Sequence, residues 1–485
     1  MNAQIRHVGL GAVVLMVVLA AQLTWLQVID AEHLADDPRN TRTFLRDFTG
    51  PRGEILSADG KVVARSVPVD DEYERQRLYP LGELFAQTVG YQSIWVGSTG
   101  VEKAYNDVLS GRDLKSLKLK DLGELLLGKE RSANVVLSLR SDAQQLAKDA
   151  LGGQKGSVVV LEPATGAIVA MYSTPSFDPQ PLASHKHREV QAYFNLLAAA
   201  PDNPALPRTY RERYPPGSTF KIVTTEAALD TGIATPEREF PSERSFTPPQ
   251  ASQSISNFGG RSCGGNLEEV FVNSCNTAFA RLGFELGEQF PLRMQGFGVY
   301  AAPPIDLDPG AVASTGPLPG TFATNKPSFA LAGIGQGEVA TTPLQMAMVA
   351  GAVATGGTVM RPHVGAEVTD DEGRTLRTIP ARAWKTAMPA ATAATIRDYM
   401  VQVVERGTGT AAQIDGVAVA GKTGTAQTCE GCKPHAWFVA FAPAEAPRYA
   451  VAVIVENGGV SGDTATGGRV AAPIATRMLR LLLGV

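Results

Sequence analysis

The stretch "YPPGSTFKIV", residues 214–223, places a hydroxyl and a cation in apolar surroundings. Two prolines and a glycine precede Ser218, so the pattern predicts a helix that begins near Ser218 and continues to Gly232. Lys221 lies three residues after Ser218, on the same helix face. Apolar neighbours lower the pKa of a lysine, and a lysine held in this way can take the hydroxyl proton. Ser218 is therefore a candidate nucleophile, although a helix cap followed by a surface lysine is the alternative for this motif alone.

A second motif, Ser274-Cys275-Asn276, opens another helical pattern in "EEVFVNSCNTAFARLG". The hydroxyl of Ser274 can pass a proton, and the amide of Asn276 can hold a substrate carbonyl. Taken by itself, this motif is an ordinary helix cap. Its value lies in its combination with the other motifs.

A third motif, Lys422-Thr423-Gly424-Thr425, follows an apolar run that predicts a strand. Gly424 leaves room for a ligand to lie against the backbone, and Lys422 with the two threonine hydroxyls suits a carboxylate. A polar edge strand is the alternative for this motif alone. The three motifs in this order are much more specific, because penicillin-binding proteins and β-lactamases share them.

With these motifs the chain resembles the class B penicillin-binding proteins, which are monofunctional peptidoglycan transpeptidases. Arg52-Gly53 with Gly60 resembles the family's N-terminal Arg-Gly…Gly segment, and Gly100-Val101-Glu102 resembles its Gly-Leu-Glu element. The stretch "GIGQGEVATTPLQMA", residues 333–347, resembles the segment before its third motif. The resemblance covers nearly the whole chain. The short N-terminal module and the Ala-rich helices bring it closest to the actinobacterial members.

The resemblance implies a serine acyl-enzyme mechanism. Ser218 would attack the carbonyl of a D-Ala-D-Ala stem peptide and release D-Ala, with Lys221 as the general base. Ser274 and Lys422 would carry a proton towards the leaving amine. The amine of a second stem peptide would then accept the acyl group, which forms a crosslink in cell-wall synthesis and cell division.

The resemblance also implies the binding residues. Asn276 would hold the acyl side chain, Thr423 and Thr425 would bind the substrate carboxylate, and Gly424 would let the substrate lie against the backbone. The backbone N–H groups of Ser218 and Thr425 would form the oxyanion hole, where each donor typically lowers the barrier by roughly 3–4 kcal/mol. β-Lactams would acylate the same serine and remain attached. The mechanism needs no metal and no organic cofactor.

Three other functions use or tolerate the same motifs. A β-lactamase or a β-lactam sensor has the trio, but a hydrolase needs a base that activates water, and no motif places a glutamate for that role. A D,D-carboxypeptidase forms the same acyl-enzyme and transfers it to water, which the sequence does not distinguish from an amine acceptor. A silent scaffold for division proteins is disfavoured by the intact trio.

Composition and apolar patterning predict three segments in the 485 residues. Residues 1–30 carry an apolar run from Val8 to Leu26, long enough to cross a bilayer, with Arg6 before it and acidic residues after it. This favours a single-pass anchor in the cell membrane with the N-terminus inside, over a signal peptide cleaved after Ala20. Residues 31–134 form a non-catalytic module, and residues 135–485 form the transpeptidase domain. A net charge of -4 gives no indication of nucleic-acid binding.

The strand and helix patterns predict an α/β fold, in which one antiparallel sheet is sandwiched by helices. Apolar strands are expected on both sides of the turns at Asp59-Gly60 and Thr165-Gly166. Two more strands and a helix are expected near the C-terminus, and an amphipathic helix from Ser141 or Asp142. A smaller mixed module would precede the sheet.

The four cysteines permit two disulfide bonds in an oxidising compartment. Cys429 and Cys432 are close-set, and a disulfide between them is favoured over inert thiols or a zinc site that includes His435. Cys263 and Cys275 could pair across a short loop. Family resemblance further suggests a SEDS-family glycosyltransferase and other division proteins as partners.

Overall fold

A computed structural model describes residues 2–26, 30, 47–112, 132–427 and 431–485 of the chain. Its α-helices, in chain order, are α1 Asn2–Thr24, α2 Ala86–Val89, α3 Gly100–Ala104, α4 Asn106–Leu109, α5 Ser141–Leu151, α6 His187–Ala199, α7 Arg208–Arg211, α8 Lys221–Asp230, α9 Leu267–Val272, α10 Asn276–Leu286, α11 Gln289–Gly296, α12 Lys326–Gly333, α13 Pro343–Ala354, α14 Ala390–Glu405 and α15 Gly467–Leu483.

The strands of the same residues form two larger sheets and several two-stranded ribbons. In chain order they are β1 Ile55–Leu56, β2 Val62–Pro68, β3 Arg75–Leu78, β4 Gln92–Ser93, β5 Gly97–Ser98, β6 Asn134–Leu137, β7 Gly156–Leu161, β8 Ile168–Thr174, β9 Phe240–Glu243, β10 Ser245–Phe246, β11 Ile255–Ser256, β12 Cys263–Gly265, β13 Thr358–Met360, β14 Gly365–Thr369, β15 Thr375–Thr378, β16 Ala383–Thr386, β17 Ala420–Ala426, β18 His435–Ala442 and β19 Tyr449–Val455.

The central sheet is antiparallel, with the strand order β17-β18-β19-β7-β8. Every residue of β18 and β19 is buried, as expected for strands that helices cover on both faces. Helix α15 packs on β18 and β19 and against α5, whereas α13 packs on β19, β7 and β18 from the other face. The predicted sandwich of an antiparallel sheet between helices is confirmed, and it leaves β17 at the edge of the sheet.

The local predictions for the strands and for two helices are confirmed. β1 and β2 pair around Asp59-Gly60, and β7 and β8 pair around Thr165-Gly166, with positive φ at both glycines (75° and 82°). A glycine adopts this left-handed conformation without a steric penalty, which is why these dipeptides predict turns. The amphipathic helix begins at Ser141, and the C-terminal helix runs from Gly467 to Leu483.

The second sheet joins distant parts of the chain in the order β15-β14-β6-β1-β2-β3, with β1 and β6 parallel. It combines strands from residues 55–78 with β6 and with strands from residues 365–378. The predicted boundary between residues 134 and 135 falls inside β6, so the division at that point remains a prediction about folding units.

The N-terminal helix α1 is long and apolar enough to cross a membrane from Gln4 to Thr24, and this span is not buried by the rest of the chain. The predicted span from Val8 to Leu26 overlaps it almost completely. A candidate membrane anchor therefore precedes the folded domains.

A buried ion cluster holds the N-terminal module together. Glu102 is fully buried and accepts hydrogen bonds from the side chains of Arg52 (2.6 and 2.9 Å) and Arg77 (2.7 Å). The hydroxyl of Tyr79 donates to the same carboxylate at 3.1 Å. Arg52 also donates to the backbone oxygen of Glu102 at 2.9 Å, which ties Arg52 to the middle of α3. The two motifs that carried the N-terminal resemblance thus meet in one structural cluster.

We expect Glu102→Gln to lower the free energy of unfolding by about 3–5 kcal/mol, because it leaves two buried guanidinium groups without their counter-charge. Denaturant titration of the full chain in detergent measures the loss. Glu72→Gln is the matched control, since Glu72 lies in the same module and is exposed. Equal stability of the two variants would contradict a supporting role for the cluster.

Candidate active site

The first motif begins in a tight turn instead of an α-helix. A 3-10 helix spans Gly217–Phe220, and α8 begins only at Lys221 and ends at Asp230. The predicted α-helix from Ser218 to Gly232 was therefore wrong at its start. The preceding prolines have no N–H groups, and first turns commonly tighten to the 3-10 form. Ser218 is half-buried at this turn.

A glycine sets the position of the serine turn. Gly217 has φ of +54°, and its N–H donates to the backbone oxygen of Gly335 at 2.9 Å. A Cβ atom at Gly217 would lie 3.0 Å from the backbone oxygen of Thr425. The left-handed conformation and this close approach both require glycine. The turn that carries Ser218 is thus pressed against the strand that carries the third motif.

Lys221 is fully buried one turn after the serine, and its amine faces the second motif. Its Nζ atom donates to the Ser274 backbone oxygen at 2.8 Å and to Asn276 Oδ1 at 2.9 Å, and lies 3.3 Å from Ser274 Oγ. The ring of Phe279 lies 5.2 Å from the same atom. Burial, and then the nearby charge of Lys422, lower the pKa of Lys221 well below its ordinary value.

Lys422 approaches the same hydroxyl from the edge strand β17. Its Nζ atom donates to Ser274 Oγ at 2.9 Å and to the Thr423 backbone oxygen at 3.2 Å, and the ring of Phe271 lies 5.6 Å away. Burial lowers the pKa of Lys422 to about 7. The hydroxyl of Ser274 therefore lies between two buried amines, which is the arrangement a proton relay needs.

The rest of the third motif lies along β17, beside the serine turn. Gly424 has no room for a side chain, because a Cβ atom there would lie 2.8 Å from the Pro216 backbone oxygen. Thr425 is half-buried on the same strand. The hydroxyl of Thr423 lies 2.6 Å from that of Thr408. Thr408 was missed in the sequence, where no motif marks it.

The second motif is fixed by one disulfide bond, Cys263–Cys275, with its Cα atoms 5.6 Å apart. This confirms the pairing that the sequence left open. The disulfide ties the middle residue of the motif to β12. The other predicted pair lies partly outside the described residues, because Cys429 is not among them.

Each predicted site residue comes from one of three segments that the fold brings together. These segments are the 3-10 turn with α8, the start of α10 with the loop before it, and β17. They contribute Ser218, Lys221, Ser274, Asn276, Lys422, Thr423, Gly424 and Thr425. Direct side-chain contacts join the two lysines, Ser274 and Asn276. A half-buried serine one turn before a buried amine, which shares the Ser274 hydroxyl with a second amine, is an arrangement suited to acyl transfer.

Comparison with known families identifies this arrangement. Residues 156–480 match the model of the penicillin binding protein transpeptidase domain, and residues 52–136 match that of the penicillin binding protein A dimerisation domain. The chain belongs to the penicillin-binding protein transpeptidases. The family resemblance inferred from the three motifs is thereby confirmed.

Relatives of known name place the chain within this penicillin-binding protein family. It is 39% identical to peptidoglycan D,D-transpeptidase PbpA of Mycolicibacterium smegmatis, over 98% of this chain and 97% of the relative. It is 38% identical to PbpA of Mycobacterium tuberculosis, over 100% and 99% of the two chains. These matches agree with the predicted likeness to the actinobacterial members.

A solved structure of a family member is similar in fold over most of the chain. The penicillin G acyl-enzyme complex of penicillin-binding protein A from M. tuberculosis has a TM-score of 0.81 and 36% identity, covering 90% of this chain and 100% of that chain. The whole-chain likeness therefore includes both the N-terminal module and the sheet that carries the three motifs.

The lowered pKa of Lys221 predicts how acylation by benzylpenicillin depends on pH. A base acts when neutral, so a lysine of ordinary pKa would make the rate rise about tenfold per pH unit between about pH 7 and 9. We expect a clearly shallower rise, because burial and the nearby charge of Lys422 lower the pKa of Lys221 well below its ordinary value. Stopped-flow measurement of acylation in the full chain gives this pH dependence. The control is Lys385→Ala, because Lys385 is an exposed lysine in the strand β16. A roughly tenfold rise per pH unit up to about pH 9 would contradict a lowered pKa for the lysine that acts as the base.

Proposed function

We propose that this chain is a serine-type peptidoglycan D,D-transpeptidase that β-lactams inhibit. One observation carries the proposal: the buried amine of Lys221 lies one turn after Ser218 and is held by Ser274 and Asn276 (2.8–3.3 Å). The whole-chain likeness to proteins named peptidoglycan D,D-transpeptidase supports it. The likeness to a β-lactam acyl-enzyme structure supports the assignment of a serine nucleophile.

In the acylation step, neutral Lys221 accepts the proton of the Ser218 hydroxyl as its oxygen attacks the penultimate D-Ala carbonyl. The backbone N–H groups of Ser218 and Thr425 stabilise the oxyanion that forms. The bond to the terminal D-Ala then breaks, and Ser274 with Lys422 delivers a proton to the departing amine. The product is an ester between Ser218 and the stem peptide.

In the transfer step, the amine of a second stem peptide attacks the ester carbonyl and restores the serine hydroxyl. The same groups act in reverse, so that Ser274 and the lysines remove a proton from the attacking amine. Asn276 orients the acyl side chain in both steps. Thr423 and Thr425, on either side of Gly424, bind the terminal carboxylate of the donor peptide during acylation, before it leaves with D-Ala. Water in place of the amine would give a D,D-carboxypeptidase.

We expect Ser218→Ala to abolish the covalent benzylpenicillin adduct and crosslinked product alike. Intact and peptide mass spectrometry of the full chain locates the adduct, and a stem-peptide dimer assay detects the crosslink. Ser184→Ala, at a partly exposed serine before α6, serves as the control. An adduct that persists in Ser218→Ala would overturn the assignment of the nucleophile, whereas rapid drug turnover without an adduct would indicate a β-lactamase. An adduct with hydrolysed monomer as the only peptide product would indicate a carboxypeptidase.

The chain has a defined orientation in the membrane, and its two extracytoplasmic domains have different roles. The N-terminus lies inside the cell and the catalytic domain outside, which the position of Arg6 before the span and Asp30 after it supports. Residues 31–134 form a non-catalytic module, and residues 135–485 form the catalytic domain. Protease treatment of intact cells should degrade the catalytic domain and spare a tag at the N-terminus; the reverse pattern would contradict this topology.

A SEDS-family glycosyltransferase is the proposed membrane partner, because crosslinking requires newly polymerised glycan strands. Co-purification from crosslinked membranes tests this partner. The control is a chain in which a foreign membrane span replaces residues 1–30. If the glycosyltransferase co-purifies neither with the wild-type chain nor with the control chain, the interaction is rejected.

A further inference from the structure

The second motif contains an unusual backbone conformation that needs external support. Ser274 has φ of +58°, in the left-handed region that favours glycine. This conformation lets the Ser274 backbone oxygen and its Oγ atom both face Lys221, at 2.8 and 3.3 Å. A strained residue of this kind persists only where its surroundings determine it, and such residues cluster at functional sites. The residues on either side of Ser274 must therefore hold it in this conformation.

One buried side chain, that of Asn257, holds the first turn of the helix that follows Ser274. Asn257 is only 4% exposed, and its Oδ1 atom accepts the backbone N–H of Thr277 at 3.1 Å. Thr277 lies in the first turn of α10, three residues after Ser274. The Thr277 hydroxyl lies 3.3 Å from Asn257 Nδ2 and 3.4 Å from Oδ1. The asparagine thus satisfies a backbone donor that the first turn of a helix leaves without a partner.

The other end of the same amide is held by backbone oxygens of a different segment. Asn257 Nδ2 donates to the Glu243 oxygen at 2.8 Å and lies 3.3 Å from the Arg261 oxygen. The residue before it contributes as well, because the Ser256 backbone oxygen accepts Asn276 Nδ2 at 3.0 Å. Asn276 is therefore oriented from both sides, since its Oδ1 atom accepts from Lys221.

We propose that Asn257 is a positioning residue for acylation, whose amide anchors the first turn of α10 and thereby holds Ser274 and Asn276 against the amine of Lys221. It touches neither the substrate nor the reacting atoms. The inference rests on the proposed function. The disulfide Cys263–Cys275 supports the same loop from β12, and Asn257 fixes the loop on its other side, at Thr277.

The test compares Asn257→Ala with Asn134→Ala in the full chain. Asn134 is a matched control, because its amide also bridges two backbone segments, accepting from the Glu54 N–H at 2.8 Å and donating to the Asp370 oxygen at 3.2 Å. That bridge lies in the second sheet, where it joins β6 to the segments that precede β1 and follow β14. The readouts are the thermal midpoint and the acylation of Ser218 by benzylpenicillin, resolved into its limiting rate constant and its half-saturating concentration.

For Asn257→Ala we expect the limiting acylation rate constant to fall about tenfold to hundredfold, the size of effect that a misplaced catalytic group produces. The half-saturating concentration should change much less, and Asn134→Ala should acylate at the wild-type rate. Asn257→Asp keeps the acceptor for the Thr277 N–H and loses the donors, so we expect an intermediate rate constant. A residue with a purely structural role would not give a graded decrease in the rate constant alone.

The opposite results would overturn the inference. Wild-type acylation by Asn257→Ala, or a loss no larger than in Asn134→Ala, would show that Asn257 only stabilises the fold. If Asn257→Ala does not fold, the same comparison is made with Asn257→Asp, and an unchanged rate constant there rejects the inference. Failure of the wild-type chain to acylate at Ser218 would reject the proposed function instead, so the two failures are distinguishable.

Discussion

The catalytic half of the molecule depends on the burial of two lysine side chains beside one hydroxyl. Lys221 and Lys422 are both fully buried, and their Nζ atoms lie 3.3 and 2.9 Å from Ser274 Oγ. Desolvation and mutual repulsion disfavour two charged ammonium groups in such surroundings. The aromatic walls, Phe271 and Phe279, exclude water from the pair. Burial that costs stability therefore gives reactivity, because a neutral amine can accept a proton.

The central sheet makes this burial possible by bringing backbones into direct contact. The edge strand meets the serine turn at Gly424, and α15 begins at Gly467, where a Cβ atom would lie 2.0 Å from the Trp437 oxygen and 2.6 Å from the Gly424 oxygen. Such contacts are rigid, since no side chain intervenes that could change rotamer. The three motifs are thus set by the spacing of packed elements, which holds their relative positions more closely than loops would.

The sequence was sufficient for the elements and the motifs, because both are local patterns. The turns at Gly60 and Gly166 and the edge strand with Lys422 follow from periodicity and turn chemistry. It was insufficient where distant segments decide the outcome. The pairing of β6 with β14 joins residues 228 to 235 positions apart, and no pattern marks it. Thr408 and Asn257 gave no signal for the same reason, since each acts through a partner that only the fold supplies.

The left-handed Ser274 explains why the motif residues alone do not determine the site. The letters Ser-x-Asn require a hydroxyl and an amide, but they do not require φ of +58°, which turns two oxygen atoms towards one amine. That conformation is disfavoured for serine and must be imposed by the residues on both sides. Here a disulfide acts at the next residue, and a hydrogen-bonded amide acts at the first turn of the following helix. Two chains with identical motifs can therefore differ in reactivity, because the distance from lysine to hydroxyl is set by residues outside those motifs.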